Sequence, residues 1–279
     1  DVPGRIVAQK MSDLLGQQVV IDNRPGAGSL IGAETTARAA PDGYTLMLTA
    51  NTHYVSAALR TKLPFHPLDD FTQITAFLSA PSVLAVYPGL EAKSVKELIA
   101  LCKAQPGKID FASSGNGSTQ HLLGALMMRM GGFQMTHVPY KGSGPAIVGL
   151  LGGEVDFMFD SLSSSLPHIQ SGKFRALAVT TAALARVLPE VPTVQESGYR
   201  DFDVSVWYAV LAAAQTPPAI VNRLHDEIVR AMRAPDARQK IEGYGYDIVG
   251  STPEQADAFI RSEIVRWGKV VRDSGASID

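Results

Sequence analysis

The sequence of 279 residues holds a single cysteine, Cys102, which excludes an internal disulfide framework and any cysteine-rich zinc or iron–sulfur site. Charged residues are scarce too, at 19% against the roughly 25% usual for soluble domains. The 25 Lys and Arg nearly balance the 27 Asp and Glu, and no basic stretch occurs, which argues against a nucleic-acid partner. The uncharged run of residues 204–221 is interrupted by Gln215 and the pair Pro217-Pro218, so we expect no membrane span.

Apolar residues, in contrast, are plentiful. They make up 46% of the sequence, which excludes a disordered chain and supports a real core. At roughly 100–200 residues per domain, the length predicts two domains. The chain opens at Asp1 with no initiator Met and no signal peptide, as expected of a processed or trimmed product.

Short β-rich runs alternate with amphipathic helices, which is typical of an α/β fold. The predicted strands are residues 19–21, 44–49, 83–87, 109–112, 135–140, 155–159, 174–180 and 204–212. Ser94 with Glu97 forms a capping box at the start of one helix, and helices are predicted to begin at Pro218, Pro235 and Pro253.

The pattern restarts after Pro88-Gly89, and the last block is helical and has no sheet of its own. We therefore expect a first α/β domain of residues 1–88 plus 206–279 and a second of residues 89–205. The chain then crosses between the domains twice.

Four segments place a turn of small residues between a strand end and a helix start. They are residues 24–29, 113–119, 140–145 and 160–165. A helix N-terminus suits an anion, and glycine lets the backbone approach it closely. Any one of these turns is compatible with an ordinary βα connection, but two such polar turns in the middle block favour a ligand cleft.

Signatures of cofactors and of catalysis are missing. Ile31 stands where the run from Gly26 needs the third glycine of a dinucleotide motif, and no phosphate-binding loop occurs, so we expect no cofactor. The histidines show no spacing typical of a metal site. His121 follows Ser118 by three residues. It is either a ligand contact or a histidine of the helix surface or core. A serine hydrolase built on these two residues stays an alternative, although no third orienting group accompanies them.

Three charged residues lie near the turns. Lys141 is placed to meet an acidic ligand, and Arg24, which precedes Pro25, either meets such a ligand or braces its own loop. Asp160 directly follows the apolar run 157–159, where it either caps its own turn or accepts a hydrogen bond from the ammonium of an amino-acid ligand.

A series of motifs resembles one family in order along the chain. The segments are residues 18–28, 40–45, 106–108, 113–121, 138–142, 153–157 and 188–196, and the similarity continues through Trp207 to the helix around Trp267. They resemble the Bug family, the TctC-like periplasmic solute receptors of tripartite tricarboxylate transporters. Two features depart from the family: its first strand with a Pro-Gly-Gly turn is missing here, and Leu123-Gly-Ala125 stands where many relatives carry Gly-Glu.

The resemblance implies a type II periplasmic-binding-protein fold, with two α/β domains, two crossing segments and a ligand cleft between them. It implies a periplasmic receptor, not an enzyme, that captures a small carboxylate: a dicarboxylate, a tricarboxylate, an aromatic acid or an acidic amino acid. The expected partners are that ligand and the membrane permease subunits, with the receptor itself a monomer. A sensor subunit of a signalling system remains an alternative.

The residues expected to contact the ligand come from the turns and from the family's pattern. They are Asp1, Ala27, Gly28, Asn51, Thr52, His53, Ser114, Asn116, Gly117, Ser118, Thr119, His121, Tyr140, Lys141, Gly142, Asp160 and Ser161.

Overall fold

The structure, a computed structural model, describes residues 2–24, 29–58, 62–200 and 202–274. In chain order the elements are α1 (Val2–Leu15), α2 (Leu30–Ala37), β1 (Leu46–Ala50), α3 (Thr52–Ala58), β2 (Phe71–Val86), α4 (Val95–Ala104), β3 (Asp110–Ser113), α5 (Thr119–Gly131), β4 (Thr136–Pro139), α6 (Ser143–Gly152), β5 (Phe157–Ser161), α7 (Leu162–Gln170), β6 (Arg175–Val179), β7 (Ser205–Ala213), α8 (Pro218–Arg233), α9 (Pro235–Gly243), β8 (Asp247–Ile248) and α10 (Pro253–Ser274). None of these helices is long and apolar enough to cross a membrane.

By its internal contacts the chain divides into two units. One unit comprises residues 1–79 with 207–268, and the other comprises residues 80–206 with 269–279. Strand β2 contributes residues to both. The domain boundaries expected from the sequence stay a prediction.

In the first unit β1 pairs antiparallel with β7, from Leu46 opposite Ala212 to Ala50 opposite Tyr208. β7 neighbours β2, and the short β8 pairs antiparallel with β2. Trp207 lies in the buried core of this unit, with side chains from β1, α3, β2 and α10 around it.

In the second unit the residues of β2 pair antiparallel with β5 on one side and with β6 on the other. β5, β3 and β4 then follow as parallel neighbours, with Ala112 of β3 opposite both Met158 of β5 and Val138 of β4. The core cluster on this sheet includes Ala112, Met158 and Leu162. Three parallel strands, each followed by a helix, give this unit the predicted α/β arrangement.

Local sequence signals located the helix starts correctly. Pro218, Pro235 and Pro253 are the first residues of α8, α9 and α10. Ser94 caps α4, its Oγ accepting a hydrogen bond from the Glu97 backbone N–H at 3.2 Å. The Glu97 carboxylate accepts from the backbone N–H of the residue before Ser94, at 2.7 Å, so the box closes one residue further out than the motif implies.

One predicted strand does not form, and another begins earlier than predicted. Residues 19–21 form no strand, and the Val20 side chain is 76% exposed. An apolar triplet forms a strand where a neighbouring strand pairs with its backbone and other side chains of the protein cover one face. β2 begins at Phe71 instead of Val83 and runs through Pro81, a residue that usually argues against a strand interior.

Candidate functional site

Three parallel strands of the second unit end side by side, and each leads into a helix. β5, β3 and β4 are neighbours in that order, and α7, α5 and α6 are the helices that follow them. Because the carboxyl ends of parallel strands meet at one edge of a sheet, the three helix N-termini gather there. Each N-terminus offers unpaired backbone N–H groups and a partial positive charge. This edge is therefore suited to an anion.

The turn between β3 and α5 depends on two glycines. Gly115 and Gly117 adopt φ angles of 132° and 74°, which side chains other than hydrogen rarely allow. A Cβ on Gly115 would also lie 3.4 Å from the carbonyl oxygen of Tyr140. The turn ends at Ser118, whose Oγ caps α5 by accepting the His121 backbone N–H at 3.2 Å.

The turn between β4 and α6 is hydrogen-bonded to the first one. The backbone N–H of Tyr140 donates to the Ser113 carbonyl at 2.9 Å, and that of Gly142 donates to the Ser114 carbonyl at 3.2 Å. Gly142 is the N-cap of α6 with a φ of 112°. The two turns therefore hold each other at a fixed spacing.

Gln120, which the sequence analysis did not single out, connects all three strand ends. Its side-chain Oε1 accepts the backbone N–H of Ser114. Its Nε2 donates to Ser143 Oγ at 3.0 Å and to Asp160 Oδ1 at 2.7 Å. The side chain is 8% exposed, although it lies in the first turn of a helix where glutamine is normally solvated. No local sequence signal marks this role, because the burial of Gln120 and the choice of its partners depend on strands that are distant in the chain.

Asp160 is fully buried beside Gln120. Its Oδ2 accepts hydrogen bonds from the hydroxyls of Ser164 at 2.6 Å and Ser165 at 2.8 Å. Burial raises the pKa of this carboxyl, and the hydrogen bonds from Ser164, Ser165, the Ser161 backbone and Gln120 oppose the shift. The ammonium contact expected from the sequence needs an accessible oxygen, and this structure leaves Asp160 no accessible surface. Here it fixes Gln120 and the start of α7.

His121 and His137 form a stacked pair beneath the first turn. His121 Nδ1 accepts the backbone N–H of Gly117 at 3.2 Å, and His137 Nε2 lies 2.6 Å from Ser113 Oγ. Burial lowers the pKa of His121. Burial and the neighbouring His121 lower the pKa of His137 to about 4. Both rings are therefore neutral at pH 7.

The first unit places its expected site residues around the end of β1. Asn51 and His53 are fully buried. The ring of His53 stacks 5.7 Å from Phe65 and meets Phe71 and Tyr54 edge-on at 5.3 and 4.6 Å. Burial lowers the pKa of His53 to about 4. In this structure His53 is an aromatic core residue and not an exposed ligand contact.

The remaining expected residues differ in exposure. Gly117, Ser118 and Thr119 are buried; Ser114, Thr52, His121, Tyr140, Gly142 and Ser161 are half-buried; Asn116 and Lys141 are exposed. The Tyr140 hydroxyl donates to Glu154 at 3.2 Å, and Ser161 Oγ lies 2.9 Å from Ser163 Oγ. Asp1, Ala27 and Gly28 lie outside the described residues.

The serine–histidine pair of the hydrolase alternative lacks the required geometry. The bond between Ser118 and His121 uses the His121 backbone N–H, and the ring Nδ1 is occupied by the Gly117 N–H. A nucleophilic serine needs the ring nitrogen itself as its base. In the part of the chain that the structure describes, no group of three His, Cys, Asp or Glu side chains is arranged to hold a metal ion.

Comparison with known proteins agrees with this chemistry. The family described as tripartite tricarboxylate transporter family receptor matches residues 4–276. Protein BugT of Bordetella pertussis is 40% identical over 100% of this chain and 86% of its own length.

Two solved structures are similar to this chain along almost its whole length. An R. palustris protein with adipate is 32% identical, with a TM-score of 0.95 over 99% of this chain and 93% of that one. MatC from Rhodopseudomonas palustris with bound malate is 31% identical, with a TM-score of 0.90 over 97% of this chain and 94% of that one. The predicted periplasmic-binding-protein fold is confirmed by these likenesses.

Proposed function

This chain belongs to the family of tripartite tricarboxylate transporter receptors, and on that premise we propose that it binds a small carboxylate for uptake. The family consists of solute-binding receptors and not of enzymes. Similar proteins solved with malate and with adipate support a dicarboxylate as the first class to test. The residues that hold it are proposed to be those of the second unit's three turns.

The observation that carries the proposal is the meeting of α5, α6 and α7 at one sheet edge. A carboxylate there receives backbone N–H groups from a helix start and hydroxyl donors from the serines of the turns. Ser118 is the clearest donor, because its Oγ accepts from the His121 N–H and its own proton remains to be donated outward. Such a site binds an anion without a buried counter-ion.

The place and partners of the receptor follow from the same family. We propose that the chain acts in the periplasm, as a monomer, and delivers its ligand to membrane permease subunits. Differential contacts with the ligand-bound form would let the permease distinguish loaded from empty receptor.

Titration calorimetry tests the proposal with a panel of acids: malate, succinate, adipate, citrate, benzoate, glutamate and aspartate. We expect at least one acid to bind and to raise the melting temperature. At an acid concentration 100-fold above Kd, the free energy of unfolding should increase by about 2.7 kcal/mol. Mass spectrometry of the recovered acid should show it unchanged. Failure of every acid to bind, or a chemically altered acid, would overturn the proposal.

A further inference from the structure

One buried side chain sets the hydrogen-bond directions at this edge. The Ser114 backbone N–H is only a donor and the Asp160 carboxylate is only an acceptor. Gln120 lies between them, so its Oε1 faces Ser114 and its Nε2 faces Asp160. Ser164 and Ser165 donate to the other oxygen of Asp160 and keep the carboxylate in place. The orientation of the Gln120 amide is therefore fixed on both sides.

This orientation decides what Ser143 does. Nε2 carries two protons: one goes to Asp160 and the other to Ser143 Oγ, at 3.0 Å. A hydroxyl that accepts a hydrogen bond on that side directs its single proton elsewhere. Ser143 is half-buried at the first residue of α6, at the edge where the helix starts meet, so its proton is available to an acceptor that binds there.

We propose that Gln120 is a positioning residue of the binding site and that Ser143 is a further donor to the ligand carboxylate. This inference rests on the proposed function. Asp160 fixes Gln120, Gln120 orients the Ser143 hydroxyl, and the oriented proton selects an anionic oxygen over a donor group. Neither Gln120 nor Ser143 belongs to the set expected from the sequence.

The test uses four variants in calorimetry with whichever acids of the panel bind the wild-type chain. Ser143→Ala removes the donor and also leaves one Gln120 Nε2 proton without its acceptor. We therefore expect affinity to fall roughly tenfold or more, together with a modest fall in melting temperature. Gln120→Glu places a second carboxylate against Asp160, so both stability and affinity should fall. Asp160→Asn, tested alone, keeps a side chain of the same shape and measures how far the network tolerates the loss of charge.

The double variant Gln120→Glu with Asp160→Asn separates positioning from packing. The new amide can donate to the new carboxylate, so the melting temperature should recover toward the wild-type value. Affinity should stay at least tenfold weaker, because the new glutamate has no proton for Ser143 and takes the serine's proton instead. A merely structural Gln120 would let affinity recover together with stability.

Each outcome decides between the claims. Wild-type affinity in Ser143→Ala, or in the folded double variant, would overturn the inference and leave the proposed function standing. If the double variant does not fold, Ser143→Ala alone decides. If the wild-type chain binds no acid of the panel, the proposed function falls and the inference falls with it.

Discussion

The rings of His121 and His137 lie parallel, with 4.0 Å between their centroids and 5° between their planes. His121 belongs to α5 and His137 to β4, so the contact joins a helix to a strand whose ends both reach the proposed site. Each ring also accepts or shares a hydrogen bond with the turn between β3 and α5. The protonation state of this pair is therefore coupled to the shape of that turn.

We expect the buried neutral histidines to reduce the stability of the chain as the pH falls from about 6.5 toward 4, while the raised pKa of buried Asp160 acts in the opposite sense and offsets part of the loss. The folded pKa of His137 is about 4 and that of His121 is lowered, so the unfolded chain binds more protons in this window. The stability that neutral rings provide is complete above the unfolded pKa of about 6.5 and is lost below it. Buried His53, with a pKa of about 4, adds to the same trend in the first unit. Denaturant unfolding at pH 7.5, 6 and 5 measures the slope.

The matched variants for this experiment are His137→Gln and His66→Gln. His137 is stacked and shielded, whereas His66 has an exposed side chain. Replacing His137 should flatten the pH dependence, and replacing His66 should not. An equal pH slope in wild type and His137→Gln would contradict the assignment.

Two capping serines that accept hydrogen bonds of the same length separate binding from stability. Ser118 caps α5 and Ser94 caps α4, and each Oγ accepts an N–H at 3.2 Å. Ser118→Ala and Ser94→Ala should each cost about 1 kcal/mol of stability. Only Ser118→Ala should weaken binding of the acid. If the hydroxyl donates to the ligand carboxylate, the loss of binding free energy should be about 1.5–3 kcal/mol. Calorimetry and thermal melts on both variants make the comparison, and equal affinities would place the carboxylate elsewhere.

Gly124 should tolerate no larger residue. A Cβ at this position of α5 would lie 2.2 Å from the ring of Phe111, which is fully buried. Gly124→Ala should destabilise the chain by roughly 1–3 kcal/mol through overpacking. Gly144 in α6 is the control, since a Cβ there meets nothing within 4 Å. Gly144→Ala should be neutral or stabilising by about 0.5 kcal/mol. Chemical denaturation of both variants would refute the packing argument if their costs were alike.

Both tryptophans of the chain report on one carboxylate. The indole N–H groups of Trp207 and Trp267 donate to Oε2 of Glu263, at 2.8 and 3.1 Å. Glu263→Ala would leave two buried N–H groups without this acceptor, and we expect a loss of at least about 2 kcal/mol. Glu263→Gln keeps one acceptor oxygen and should cost less. Intrinsic fluorescence follows both the unfolding and the change around the indoles; a Glu263→Ala variant as stable as wild type would contradict the expectation.

Local chemistry made much of the fold predictable. Pro218, Pro235, Pro253 and the Ser94 cap mark helix starts because they act on the backbone of their own turn. The α/β class was also predictable, because the alternation of short apolar runs with amphipathic helices is visible along the chain. Residues 19–21 were wrongly predicted as a strand and the early start of β2 was missed, because the pairing partners that decide a strand lie far away in the chain.

The candidate site divides along the same line. The small-residue turns at 113–119 and 140–145 are visible in the sequence, because glycine and serine favour turns through their own backbone conformation and local hydrogen bonds. The burial of Asp160, the aromatic surroundings of His53 and the stacking of His121 on His137 are not, because each depends on residues brought from other elements.

The sequence by itself therefore determined the class of fold, the family and the small-residue turns of the candidate site, all of which are encoded in consecutive residues. Only the tertiary structure decided which polar side chains are buried and hydrogen-bonded to other groups of the protein. Gln120 meets Ser143 and Asp160 because parallel pairing sets β5, β3 and β4 side by side. A buried polar group must find its partners wherever the fold supplies them, and that choice is made across strands and not along the chain.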